Sequence, residues 1–133
     1  MIDIENELFT EIANAMRAEY PAYVSSVYVR KPPYFPAVSI VEMDNTVRRD
    51  TQDSSHAEGF ADVMYEVNVY VNQRVGTKAA ARAIMGFIDG EFAKRGFTRS
   101  FMNPIPNMDD ATIYRITARY RATASQGKII YRR

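Results

Sequence analysis

Between Val63 and Asn72 apolar and polar residues alternate so regularly that the segment must be a β-strand with two unlike faces. Val63, Tyr65, Val67, Val69 and Val71 point one way, while Glu66, Asn68, Tyr70 and Asn72 point the other. The first set needs a core and the second tolerates water or a polar partner, so the chain must build a sheet that is covered on one side. Two segments can supply the cover. Ile4, Leu8, Ile12 and Met16, with Phe9 and Ala13 beside them, form the stripe of a helix running from an Asp3 N-cap to about Glu19 and stopped by Pro21. Thr77 is placed to cap a second helix whose buried side is Ala80, Ala81, Ile84, Phe87, Ile88 and Phe92, with Gly96 as the left-handed residue beyond its end. Inside that helix Gly86 and Gly90 each cost about 1 kcal/mol relative to alanine, which close packing on the sheet would explain.

The remaining strands are shorter signals. Tyr23 to Arg30, with Val24, Val27 and Val29, reads as the first; PPYFP (32–36) must be a connection or an edge; Ala37 to Met43 reads as the second. Phe97 to about Met102 reads as the fourth. In the fifth, Thr112 to Ala122, Tyr114, Ile116, Ala118, Tyr120 and Ala122 alternate with Ile113, Arg115, Thr117, Arg119 and Arg121. The order α-β-β-β-α-β-β predicts an α+β fold, a mainly antiparallel sheet with both helices packed on one face. With 133 residues the chain fits a single domain, 1–133. The polar stretch 44–60 is expected to be a long loop, and 124–133 a short basic arm.

Charge is distributed unevenly. Residues 1–93 carry 8 Lys and Arg against 14 Asp and Glu, whereas residues 94–133 carry 9 against 2, a contrast hidden by the net +1. Both halves can mingle on one surface, or an acidic face of one subunit can meet a basic face of another, or the C-terminal arginines can bind nucleic acid. No aromatic-and-basic RNA motif accompanies those arginines.

Signals for chemistry are sparse. The chain has no cysteine, which excludes disulfides, thiolate zinc sites and thiol catalysis, and suggests a chain folded in a cytoplasm. His56 is the only histidine, so no imidazole pair can hold a metal. Nucleophile-elbow, dinucleotide and P-loop patterns are all missing. No apolar run approaches the roughly 18 residues of a membrane span, and MIDIENELFTEI is too acidic for a signal or transit peptide. A non-enzymatic role without cofactor or metal is expected.

The segments MIDIENELFTEIANAMRAEYP, PPYFPAVSIVEMDN, VMYEVNVYVN, IMGFIDGEFAKRGFTRSFMNPIPNMDDATIYRITARYRA and the YRR ending resemble one family across essentially the whole chain. It is the tail terminator or tail completion proteins encoded in the head–tail joining region of long-tailed bacteriophages and prophages of Gram-positive bacteria. The resemblance implies an α/β fold and a homohexameric ring that caps the tail tube, ends its polymerisation and presents a surface to the head connector or stopper protein. It also implies a place in the neck or tail of the virion, after assembly in the bacterial host cytoplasm. No catalytic residue, cofactor, membrane or specific nucleic-acid sequence belongs to it. Another neck component (head completion, stopper or adaptor protein) and a nucleic-acid-binding module are the alternatives. Within this reading Arg115, Arg119 and Arg121 are the candidate subunit interface, with Glu66 and Tyr70 as their partners on a neighbour. Arg48, Arg49, Asp50, Asp53 and His56 in the long loop are the candidate contacts to the tail tube or an adjacent ring, ordering on docking.

Overall fold

The computed structural model describes residues 1–48, 59–73, 75–106, 110 and 112–132. The chain runs α1 (Glu5–Glu19), β1 (Tyr23–Ser25), β2 (Ala37–Val47), β3 (Phe60–Val71), α2 (Thr77–Lys94), β4 (Thr98–Pro104), β5 (Tyr114–Ser125) and β6 (Ile130–Arg132). The six strands form one sheet in the order β1-β2-β3-β5-β4, with β6 also paired to β5. Every pairing is antiparallel except that of β1 with β2. The α+β architecture expected from the sequence is the one observed.

Alternation on the long strands decides which side is covered. Val63, Tyr65, Val67, Val69 and Val71 of β3 and Ile116, Ala118, Tyr120 and Ala122 of β5 share one core with Leu8, Ile12, Ala13 and Met16 of α1. The same core takes Ala81, Ile84, Met85, Ile88 and Phe92 from α2. At its centre Phe92 stacks on Tyr120 (centroids 4.3 Å apart, planes 4° off parallel) and meets Phe97 edge-on. The Tyr120 hydroxyl donates to Asp89 Oδ1 at 2.9 Å, and Arg99 Nη1 reaches the same oxygen at 3.0 Å. An aromatic ring is thereby buried with its polar end satisfied.

Several boundaries differ from expectation for local reasons. Ile2 and Ile4 are both drawn into the core, so α1 starts after Ile4, and Asp3 accepts the Glu5 N–H at 3.1 Å instead of capping. Thr77 is already helical and its hydroxyl donates to the Gln73 carbonyl; Gly76, at φ 70, takes the cap position. β1 ends at Ser25, not Arg30, because the Ser25 hydroxyl exchanges hydrogen bonds with the backbone of Val27 and turns the chain away. Residues 44–47, expected in a loop, continue β2, since β3 offers partners as far as Ala61. The tail is not a free arm. A turn at Ser125–Lys128 returns Ile130–Arg132 to β5 as a sixth strand.

Gly96, at φ 87, ends α2 in the left-handed conformation as expected, and a Cβ there would stand 3.3 Å from Ile130 Cγ2. Gly86 and Gly90 depart from the expected close packing, because a Cβ at either would meet nothing within 4 Å. Close packing does not require them.

Candidate assembly surface

Both helices lie on one side of the sheet, and the opposite side is built in rows read off the strand register. Ala37, Tyr70 and Arg115 make one row; Ser39, Asn68 and Thr117 the next; Val41, Glu66, Arg119 and Phe101 a third. Asp44, Met64 and Arg121 follow, then Thr46, Asp62 and Thr123.

Long polar side chains in adjacent rows connect. Arg119 Nε donates to Glu66 Oε2 at 3.0 Å and lies 5.3 Å over the Phe101 ring. Asn68 Nδ2 donates to Glu66 Oε1 at 3.2 Å, and Asn68 Oδ1 accepts from Arg115 Nε at 2.9 Å and Thr117 Oγ1 at 2.6 Å. The Arg115 guanidinium lies over two rings, Tyr70 at 5.6 Å and Tyr28 at 5.8 Å. Tyr28 comes from the segment after β1, which brings it over this end of the face. As a result Asn68 and Tyr70 are only 1% and 2% exposed without any helix above them. Burial raises the Tyr70 phenol to about 12; Arg115 opposes that rise, and Tyr28 and Glu66 add to it. The hydroxyls of Tyr70 and Ser39 are enclosed without a hydrogen-bond partner.

All five candidate interface residues therefore share one face, but four of them engage each other within one chain. Glu66 pairs with Arg119, and Tyr70 stacks with Arg115. Arg121 is different: it is exposed, and among the described residues its side chain makes no ion pair or hydrogen bond. Of the loop candidates, Arg48 follows β2 and its N–H donates to the Phe60 carbonyl at 3.0 Å, closing the β2–β3 ladder. Arg49, Asp50, Asp53 and His56 lie outside the described residues.

A second cluster was missed in the sequence. Glu42 faces the helices from β2, close to Glu5 and Asp3, and its carboxyl is pushed up to about 7 by burial and then by those two acids. Asn45 counters weakly through a 3.3 Å bond to Glu42 Oε1, while its Nδ2 also donates to the Ile2 carbonyl at 2.7 Å. The Tyr65 phenol beside them is raised by burial and by the same carboxyls. The signal was present, since Glu42 continues the inward series Val38, Ile40 on β2 and is its first charged member.

Among the described residues no group of three or more His, Cys, Asp or Glu side chains could hold a metal ion. No helix there is long and apolar enough to cross a membrane. Neither a family model nor a curated protein matches the chain.

Proposed function

We propose that this protein is a structural component of a bacteriophage neck, a tail terminator that assembles as a ring on the tail tube. The ring ends polymerisation of the tube and offers the head-joining surface. The proposal draws its family from the resemblance of the sequence segments quoted above. The structural observation that carries it is the sheet face without a helical layer, whose arginines, carboxylate and aromatic rings are held in place by hydrogen bonds and stacking before any partner arrives. Such preorganisation suits a docking surface, because little side-chain freedom is lost on contact.

The test is growth of tail tubes from purified tube protein, imaged by electron microscopy with and without this chain. The reading expects tubes that stop growing and carry a ring at one end. Tubes that elongate unchanged would overturn it, and binding to filled heads instead of tails would reassign the chain to a head-side neck role.

A further inference from the structure

The two lateral edges of the sheet are electrically opposite at the same level. β1 pairs only with Ala37–Ser39, so Val41–Val47 of β2 forms one edge among the described strands, and β4 forms the other. The register runs straight between them. Glu42 opposes Tyr65, Tyr65 opposes Tyr120, and Tyr120 opposes Arg99. The following row runs from Asp44 through Met64 and Arg121 of β5 to Thr98 of β4. Each row thus has an acid on β2, with a base on β4 in the first and on β5, one strand in from the edge, in the second.

We propose that copies of this chain join head to tail through these edges, the acidic β2 side of one against the basic β4 side of the next. The proposal rests on the ring reading above and names the surfaces that make the ring. Asp3, Glu5 and Glu42 crowd together, and the groups that act on Glu42 are those two acids and Asn45, with no cation among them. Asp44 adds an exposed charge on the other face of the same strand. Across the sheet stand Arg99, whose side chain is 43% exposed although shared with Asp89, and the unpaired Arg121. Within the chain Lys128 acts on Asp3, and bringing the edges together sets further cations beside Glu42 and Asp44.

Geometry agrees with a ring. β2 and β4 run in opposite directions, because three antiparallel pairings separate them. A head-to-tail contact between these edges is therefore antiparallel and continues the sheet with the same face up, and a small rotation per step closes it. Both edges carry a bulge, at Met43 and at Ser100, which discourages indiscriminate strand pairing and leaves charge to select the partner. Because β1 already fills the lane beside Ala37–Ser39, side chains and not a continuous ladder make the contact.

The chain has no cysteine, so introduced thiols report contacts unambiguously. Met43→Cys and Ser100→Cys are made singly and together and treated with a short bismaleimide, with masses measured in parallel. The double variant should give a ladder of covalent multimers, an equimolar mixture of the singles only dimers, and each single alone none. In addition, Asp44→Lys and Arg121→Glu should each weaken assembly about tenfold, and the variant carrying both should recover most of that loss. An oligomer that gives no ladder, or in which like singles cross-link, overturns the edge contact and leaves the ring standing. A chain that stays monomeric and uncross-linked, both alone and with purified tail tubes, overturns both.

Discussion

Near the C-terminal end of β3 its two faces are buried to nearly the same degree by different physics. Val67 is 0% exposed and Asn68 1%, yet they are neighbours pointing opposite ways. Val67 is covered by helices that exclude water from apolar surface, a gain proportional to area and indifferent to partner. Asn68 is covered by an arginine, a threonine and a glutamate that satisfy its amide, and the Arg115 beside it is overlaid by Tyr28. Hydrogen bonds and ion pairs can be exchanged for equivalent ones on another molecule, whereas core packing cannot. The helix-covered face therefore determines the fold, and the open face and the edges remain available for assembly.

Substitutions on the two sides measure that contrast. Phe92→Ala removes the ring stacked on Tyr120 and should cost about 3–5 kcal/mol in urea unfolding; a small loss would mean the core is looser than its stacking indicates. The next effect depends on pH. Glu42 holds its proton to about pH 7 when folded, against an ordinary value of 4.5, so its contribution is fully present below the ordinary value and is lost as pH rises through the folded one. With solvent screening allowed for, that is about 1–2 kcal/mol between those limits, and it should disappear from the difference curve in Glu42→Gln. Arg119→Ala, on the open face, leaves the mostly covered Glu66 carboxylate with its bond from Asn68 and should cost about 1–2 kcal/mol. If it costs as much as Phe92→Ala, the distinction between the two faces fails. The smallest effect has the opposite sign. Gly86→Ala places a methyl group in open space on a helix and should stabilise by about 0.5–1 kcal/mol, read as a modest rise in Tm.

How much of this was legible in the sequence follows the same division. The inward valines of β3 and the stripes of both helices located the core, because hydrophobic periodicity is a local signal. The five residues placed on the open face could be read from alternation alone. Their partners could not, since Glu66 meets Arg119 only through a register set between strands far apart in sequence. Strand ends were misplaced where a single side chain decided them, as the Ser25 hydroxyl does for β1. The sixth strand was obscured by a basic composition that suggests an arm, although Ile130 packs against the core. The acid at position 42 was readable in principle, but its neighbours Asp3 and Glu5 reach it only after α1 has docked.

The most direct test of the account is absolute mass by light scattering over a wide concentration range, for the chain alone and with purified tail tubes. The account predicts a 15.2 kDa subunit that gives way to a closed species of about six copies, with Arg121→Glu shifting that transition to higher concentration. A mass fixed at 15.2 kDa throughout, with no binding to tubes, would contradict it.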